Sequence, residues 1–170
     1  QFKISQHGLR NGVVLTVAPV GSGSVMVGNP SSGLEPIFSF SQRRNYRVGD
    51  GYEERLVCNY AYRVYHEVQG VELGSLELPD YMEKSKALNI LPGEHVMMLA
   101  AVQKWIDAAV SKTTNCPTDI TFDQFKDVYW QAYMDGAKSC TTYRPSDTRG
   151  WVLQDADTDE NKSESQEVTY

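Results

Sequence analysis

The sequence predicts an α/β fold, because strand-like and helix-like segments alternate along the chain. Three observations carry this prediction: a β-branched run at 11–18, a helix-periodic stretch at 94–110, and a capped helical stretch at 122–135 followed by a strand-like run at 137–144. Short joins between helices and strands are typical of a barrel or an open parallel sheet. The chain has 170 residues, the length of one domain, and contains no internal repeat.

The first predicted strand, residues 11–18 (NGVVLTVA), is a short run rich in β-branched residues and bounded by Gly and Pro, which is typical of a strand buried on both faces. A loop follows it, where a helix can begin: Pro19, Val20, Gly21, Ser22, Gly23 and Ser24. Glycines leave backbone N–H groups accessible at a helix start and serines add hydroxyl donors, so this loop is a candidate anion site. It matches neither a Walker loop nor a dinucleotide fingerprint, and a plain turn is the alternative.

The next stretch, residues 29–36, is rich in turn formers and is predicted to be irregular. Glu35 lies between Gly33 and Pro36 on a stiff backbone, so it is either a positioned acid or base or the ion-pair partner of a nearby arginine. Residues 37–65 mix arginines with tyrosines, and we expect a surface segment with a short helix around 53–65. These side chains either bind a nucleotide or are covered by more chain, and five tyrosines favour the second alternative.

Two helices are predicted in the C-terminal half. The stretch 94–110 has apolar residues at helical spacing, with Glu94 in the first turn, where the helix dipole favours an acid. A strand is expected soon after it, ending before Cys116-Pro117. Thr121 and Gln124 form a capping-box pattern for the helix 122–135, and Gly136 is its predicted C′ residue.

Charge and composition exclude several classes of protein. Residues 154–170 carry six acidic side chains and one lysine, so they hold −5 of the total charge of −6 and are predicted to be a disordered acidic tail. The nearly neutral remainder argues against nucleic acid and anionic membranes as partners. No apolar run approaches the ~18 residues of a membrane span, and there is no signal-peptide pattern. We therefore expect a cytoplasmic protein and, since it lacks an initial Met, a piece of a longer chain.

The cysteines and histidines form no recognisable site. Cys58, Cys116 and Cys140 are an odd set without CxxC spacing, which argues against a disulfide framework and against a metal site. No base is paired with them in the sequence, so semi-buried, unreactive thiols in a reducing compartment are expected. The three histidines, His7, His66 and His95, are isolated and are predicted to be surface or packing residues. No catalytic residue is predicted in this segment.

Three blocks of the sequence together resemble one enzyme family. They are LRNGVVLTVAPVGSGSVMVGNPSSGLEPIFSF (9–40), AAVQKWIDAAVSKTTN (100–115) and YWQAYMDGAKSCTTYR (129–144). The patterns AP-x-G-S/T-x-S, SSG-I/L-EP, Q-x-x-I/V-D-x-x-I/V-SKT-x-N and G-x-K-x-x-T-x-YR occur in this order. In order and spacing they are similar to the C-terminal part of the large, catalytic subunit of ribonucleotide reductase, most of all to its adenosylcobalamin-dependent class. The resemblance covers most of residues 9–153.

The resemblance implies a ten-stranded α/β barrel, in which residues 1–153 supply the C-terminal strands and helices and 154–170 form the tail. It also implies that the loop from Pro19 to Ser24 binds the phosphates of a ribonucleoside di- or triphosphate. Val20 and Ser22 stand where the family usually has threonine. In this family a cysteine thiyl radical abstracts the ribose 3′ hydrogen, water leaves from C2′, and a cysteine pair supplies electrons that a thioredoxin-like reductant replaces.

The family's radical and reducing cysteines lie outside the matched segment, so the resemblance implies an upstream reductase polypeptide or domain as partner and an incomplete enzyme in this chain alone. Thr141 and Thr142 stand where reductases with a separate radical-generating subunit have adjacent tyrosines, which favours adenosylcobalamin as the cofactor. The alternative is a non-catalytic fragment that binds nucleotide phosphates or assembles with an upstream polypeptide.

Overall fold

The computed structural model describes residues 2–28, 30–49, 51–73 and 77–145, so the predicted tail at 154–170 lies outside the described residues. The described helices are α1 (Phe2–His7), α2 (Gly21–Met26), α3 (Tyr60–Gln69), α4 (Asp80–Glu83), α5 (Pro92–Gln103) and α6 (Phe122–Met134). The described strands are β1 (Ser41–Val48), β2 (Gly51–Cys58), β3 (Thr113–Asn115) and β4 (Thr141–Tyr143).

The chain divides into two compact units. Unit 1 contains Gln1–Val20, Gly33–Glu35 and Ile90–Arg144, and unit 2 contains Gly21–Ser32 and Pro36–Asn89. The predicted phosphate loop therefore begins in unit 1, at Pro19 and Val20, and continues into unit 2 as the first residues of α2.

Unit 1 is built on parallel pairing. Strand β3 pairs with β4 in parallel, with Thr113 opposite Thr141 and Asn115 opposite Tyr143. The chain just before β3 pairs in parallel with an earlier segment through a bridge between Val17 and Val110. Two helices, α5 and α6, pack together through Val96, Val128 and Ala132, all buried, and Leu99 and Ala100 of α5 are buried as well. The predicted alternation of helices and strands is confirmed here, and so is a strand ending before Cys116.

The helix termini of unit 1 follow the capping signals of the sequence. Thr121 Oγ1 accepts the N–H of Gln124, and Gln124 Oε1 accepts the N–H of Thr121, so the predicted capping box is present. Gly136 follows the C-cap of α6 with φ +81°, the left-handed conformation that glycine adopts without strain. In α5, Glu94 accepts the N–H of Leu91 and thereby caps the helix from its first turn.

Two predicted elements of unit 1 differ in the structure. Residues 11–18 do not form a strand buried on both faces: Val13, Val14 and Leu15 are more than half exposed, and only Val17 makes a bridge. The helix predicted over 94–110 ends at Gln103. Apolar spacing continues beyond that residue, but the backbone leaves the helix because side-chain hydrogen bonds from Gln103 replace the helical ones.

Unit 2 contains an antiparallel hairpin that the sequence analysis missed. Strands β1 and β2 pair over their whole length, from Ser41 opposite Cys58 to Val48 opposite Gly51. The expected helix around 53–65 is wrong in its first half, because α3 begins only at Tyr60, after the N-cap Asn59. A signal was available, since two residues of Gly-Asp type between β-forming runs are typical of a tight hairpin. The side chains at 42–47, 52 and 54–56 lie outside the described residues, so the nucleotide-binding hypothesis for these arginines and tyrosines stays untested.

The core of unit 2 lies under this hairpin and α3. Phe40, Cys58, Tyr62 and Met82 are buried together, and Ile37, Tyr65 and Leu78 pack against them. Within the described ranges, no helix is both long and apolar enough to cross a membrane.

Candidate functional site

Gln103, the last residue of α5, organises the turn between this helix and the chain leading to β3. Its side-chain Nε2 donates to the carbonyls of Ile106 (3.1 Å) and Ala108 (2.9 Å). Its Oε1 accepts the N–H of Val110 (3.2 Å) and of Lys138 (3.4 Å). Because the amide is buried and uses both donors and its acceptor, it fixes the turn and joins it to the chain after α6.

Asp107 lies within this turn and holds the segment that leads to the predicted phosphate loop. Its Oδ2 accepts the N–H groups of both Val14 and Leu15, each at 3.0 Å. The pKa of Asp107 lies below its ordinary value of 3.8, mainly because of the hydrogen bond from Val14 and then that from Leu15. Desolvation opposes this shift by raising the pKa, and the positive charge of Lys138 lowers it further. The carboxylate takes N–H groups that a regular strand ladder would pair with carbonyls, which explains why 11–18 is extended without being a strand.

Backbone hydrogen bonds also join the segment 14–17 to residues after Asp107. Ala108 donates its N–H to Leu15 O (3.1 Å), and Ser111 donates its N–H to Val17 O (3.0 Å). Residues 14–17 therefore run beside 107–111, and their carboxyl end continues directly into Pro19.

The SSGLEP block packs against this same pairing at Gly33. Gly33 has φ +55°, and a Cβ at this position would lie 2.7 Å from the carbonyl oxygen of Ala18. Both the conformation and the close approach require glycine. The turn therefore passes directly beside the residue that precedes Pro19.

Glu35 is the ion-pair partner of Lys112, not of a nearby arginine as one alternative expected. Lys112 Nζ lies 3.3 Å from Glu35 Oε2, and the other carboxylate oxygen accepts the N–H of Thr113. Only 2% of the Lys112 side chain is exposed, against 25% for Glu35, so the ammonium needs partners inside the protein. It has them, since it also donates to Thr113 O (3.1 Å) and to His95 Nδ1 (3.0 Å).

His95 is thus a packing residue, as expected, with a defined role. An ammonium only donates, so Nδ1 of His95 is the acceptor and the ring proton of the neutral imidazole is on Nε2. His66 is also buried, with its Nδ1 2.9 Å from Tyr62 O in α3. Within the described ranges, no group of three His, Cys, Asp or Glu side chains is placed to hold a metal ion.

The predicted phosphate loop forms the start of α2. Gly21, Ser22, Gly23 and Ser24 are its first four residues, so the expected helix start at this loop is confirmed. Ser24 is buried, and its hydroxyl donates to Gly21 O (2.8 Å) and lies 3.4 Å from Ser32 Oγ. A Cβ at Gly21 would meet no atom within 4 Å, so the first helical residue borders open space. Pro19 and Val20 are exposed.

The third block, G-x-K-x-x-T-x-YR, makes contacts with the turn after α5 and with α6. Lys138 Nζ donates to the carbonyl of Asp107, and Thr142 Oγ1 lies 2.9 Å from the hydroxyl of Tyr129 in α6. The quoted motifs are thus a set of contacts around one parallel sheet. Sequence reasoning had not assigned roles to Gln103, Asp107, Lys112 and Lys138, although all four lie in those motifs. The predicted helix ran through the turn at Gln103 and Asp107, and the partners of Lys112 and Lys138 lie 77 and 31 residues away.

The burial of the three thiols agrees with the expectation of buried or semi-buried cysteines. Cys58 and Cys116 are buried and Cys140 is partly buried, all as free cysteines. Burial raises the pKa of the Cys116 thiol, and the neighbouring Cys140 adds to this. Burial also raises the pKa of Cys140. Since the thiolate is the nucleophilic form, neither group is prepared for nucleophilic chemistry.

Comparison with known proteins gives one consistent family. Residues 1–143 match the family model "Ribonucleotide reductase, barrel domain". The chain is 32% identical to a vitamin B12-dependent ribonucleoside-diphosphate reductase of Mycobacterium tuberculosis, over 86% of this chain and 23% of that protein. It is 31% identical to the enzyme of the same name from Thermoplasma acidophilum, over 94% of this chain and 22% of that protein.

A vitamin B12-dependent ribonucleotide reductase of Streptomyces coelicolor is 25% identical over 96% of this chain and 19% of its own length. The chain thus spans about a fifth of the length of these relatives. The motifs, their contacts and the family match agree, and the chain belongs to the ribonucleotide reductase family, as a fragment of the large subunit that carries part of its barrel domain.

Proposed function

We propose that this chain supplies the C-terminal part of the catalytic barrel of an adenosylcobalamin-dependent ribonucleotide reductase, and that the loop Pro19–Ser24 binds the phosphates of its substrate. Family membership and the names of the relatives support the reductase. The observation that carries the phosphate site is the start of α2 at Gly21, directly after a parallel segment and bordering open space. In α/β folds, ligands bind at the carboxyl ends of parallel strands.

The loop can bind phosphate without a lysine. The first N–H groups of a helix have no partner within the helix and point along its axis, where they can meet phosphate oxygens. Gly21 and Gly23 leave room for close approach, and the hydroxyl of Ser22 adds a donor. The hydroxyl of Ser24 is already used inside the chain, so this residue contributes its N–H group.

The rest of the proposed enzyme lies outside these 170 residues. Val13, Val14 and Leu15 are exposed although apolar, and the chain spans about a fifth of its relatives. We infer that the remaining strands of a ten-stranded barrel cover this segment, since exposed apolar edges otherwise associate unspecifically. The upstream reductase polypeptide or domain is thus the first expected partner.

We assign the radical chemistry to the upstream polypeptide or domain. The thiyl-forming cysteine and the cysteine pair that a thioredoxin-like reductant would recharge are not expected among Cys58, Cys116 and Cys140, whose burial disfavours a reactive role. In the proposed reaction, ribonucleoside di- or triphosphates are converted to deoxyribonucleotides. The free thiols fit a reducing compartment, and we expect the cytoplasm.

Adenosylcobalamin would supply the initiating radical, and imidazole is one type of ligand for a metal such as its cobalt. His66 and His95 are each 1% exposed, and each ring bonds within the chain through Nδ1. Neither histidine is therefore available as a ligand to the cofactor. Its use is supported by Thr141 and Thr142, since a tyrosine relay from a separate radical-generating subunit would need phenols there.

The test is ribonucleotide reduction with adenosylcobalamin and a dithiol, with and without the upstream polypeptide. Activity only in the combined sample is expected. Activity that depends on a diiron or manganese partner and ignores adenosylcobalamin would refute the cofactor. Binding of nucleotide without any turnover in the combined sample would favour the non-catalytic fragment.

The phosphate loop is tested by Gly23→Val in the combined enzyme. A branched side chain would stand between the backbone and the phosphates, so KM should rise about tenfold to hundredfold, or roughly 1.4 to 2.8 kcal/mol. Ser22→Ala removes one hydroxyl and should cost about 1 kcal/mol.

Gly12→Val is the control outside the proposed loop, because Gly12 is exposed and a Cβ there would meet no atom within 4 Å. An unchanged KM in a correctly folded Gly23→Val enzyme would place the phosphates elsewhere.

A further inference from the structure

The two faces of the β3–β4 pair have different surroundings. On one face, Thr142 contacts Tyr129 of α6, Cys140 packs against the core of α5 and α6, and Lys112 contacts His95 of α5. Side chains alternate between the faces of a strand, so Asn115 and Tyr143 belong to the opposite face, away from these helices. They are register partners at the carboxyl ends of the two strands.

The hydroxyl group of Tyr143 is not used by the described part of the chain. Its hydroxyl oxygen is buried and has no hydrogen-bond partner in the part of the chain that the structure describes. Buried hydroxyls normally have one, because leaving the group unpaired costs free energy. Thr114 Oγ1 shares this property, but it lies on the helix face, where it interacts with the Cys140 thiol.

Asn115 and Tyr143 lie at the same edge of the unit 1 sheet as Pro19 and Val20, the two residues of the proposed phosphate loop that belong to unit 1. The segment 14–17, the chain through β3, and β4 are all parallel, so their carboxyl ends lie at one edge of the sheet of unit 1. The first segment continues there into Pro19 and Val20, the second ends at Asn115 and the third at Tyr143. Substrate-binding groups of α/β enzymes are drawn from this edge.

The chemistry of Asn115 and Tyr143 indicates which part of a ribonucleotide they can bind. A phenol has one donor and one acceptor site, and a carboxamide has two donors and an acceptor oxygen. Both are uncharged, which suits ribose hydroxyls and the edges of a base better than a phosphate dianion. We propose that Asn115 and Tyr143 bind the nucleoside portion of the ribonucleotide substrate, a role that rests on the proposed function.

The test is equilibrium binding to the combined enzyme, measured separately for a ribonucleoside diphosphate and for inorganic pyrophosphate. Tyr143→Phe removes only the unpaired hydroxyl and should weaken ribonucleoside diphosphate binding about fivefold to tenfold. Pyrophosphate binding should not change. Asn115→Ala is the second variant and should show the same selectivity.

Tyr129→Phe is the matched control. Its hydroxyl bonds Thr142 on the helix face, so its removal should affect stability and leave both dissociation constants unchanged. Conversely, Tyr143→Phe should leave stability unchanged or raise it, because it deletes a buried group that has no partner within the described chain.

The outcomes separate this inference from the phosphate loop. Unchanged ribonucleoside diphosphate binding in both Tyr143→Phe and Asn115→Ala would overturn it, and so would an equal loss of pyrophosphate binding, which would indicate an indirect effect on the loop. If Gly23→Val leaves pyrophosphate binding intact while Tyr143→Phe still weakens nucleotide binding, the loop assignment fails and the nucleoside site stands.

Discussion

Unit 1 and unit 2 are held together by different kinds of contact. In unit 1, side chains bind backbone or charged groups far away in the sequence, as Glu35 does with Lys112 and Asp107 with Val14. In unit 2, side-chain hydrogen bonds such as that between the N-cap Asn59 and Ala61 are local, and segments such as those at 37 and 87 are connected through backbone groups. The motif residues whose side chains make the long-range bonds described above, Glu35, Gln103, Asp107 and Lys138, lie in unit 1. Recognisable sequence motifs thus mark the places where one particular side chain connects distant segments.

The largest difference in stability between the two units should appear when one ion-paired acidic residue of each unit is replaced by alanine. Glu35→Ala leaves Lys112 buried without its counter-charge and removes the acceptor of the Thr113 N–H, which should cost about 3 kcal/mol. Amide exchange at Thr113 in the combined enzyme should then accelerate roughly hundredfold.

Asp80→Ala is the control from unit 2, because its partner Lys84 and Asp80 itself are 77% and 92% exposed. It should change local exchange by less than about 1 kcal/mol. Equal effects of the two variants would remove the distinction between the units.

Glycines with positive φ offer a second comparison. Gly33→Ala would place a Cβ 2.7 Å from Ala18 O, whereas Gly70→Ala, at φ +67°, would meet no atom within 4 Å. In both variants the left-handed conformation should lower the free energy of unfolding by about 1 kcal/mol. The additional contact at Gly33→Ala should bring its total loss to about 2 kcal/mol. The measurement is exchange at Ser111, whose N–H bonds Val17 O beside the clash, against exchange at Val71 for the other variant. Equal losses of amide protection at Ser111 and Val71 would show that the backbone near Gly33 moves away from the added Cβ without a cost in stability.

The smallest effect should be a pH dependence confined to unit 1. The folded pKa of Asp107 lies below 3.8, so its contribution is complete above about pH 4 and is lost as the pH falls through the lowered value. Protection of the Val14 and Leu15 amides, corrected for intrinsic exchange, should fall over that range.

Asp107→Asn should abolish this dependence, since the amide does not titrate, and amides of α6 serve as the internal reference. The same pH profile in both proteins would exclude Asp107 as the titrating group.

The contrast between the units also explains what sequence reasoning could achieve. It predicted α6 and its cap, because the Thr121–Gln124 signal is local and the partners are four residues apart at most. It extended α5 too far, because apolar spacing says nothing of a side chain such as Gln103 that takes over the backbone bonds. It predicted the helix start at Gly21, but the link between Glu35 and Lys112 spans 77 residues and cannot be read from either segment alone.

The hairpin of unit 2 was missed for the opposite reason. Polar and charged residues fill β1 and β2, so neither strand shows the apolar alternation that identifies a strand. Its only signal is the two-residue turn after Val48. For the candidate site, the loop followed from the resemblance, whereas Asn115 and Tyr143 emerge only from strand register and burial.

The bonds made by Gln103 and Asp107 go to backbone groups, and this has a consequence for sequence divergence and for chimeric enzymes. Such a bond constrains one residue identity instead of two, because every residue except proline offers the same N–H. Two of the positions that receive them, Val14 and Leu15, are more than half exposed and can therefore exchange side chains without disturbing the connection. A crossover between two reductases in the loop at 117–120 should be tolerated if it preserves the spacing from Gln103 to Lys138, even where the parents differ at most intervening positions.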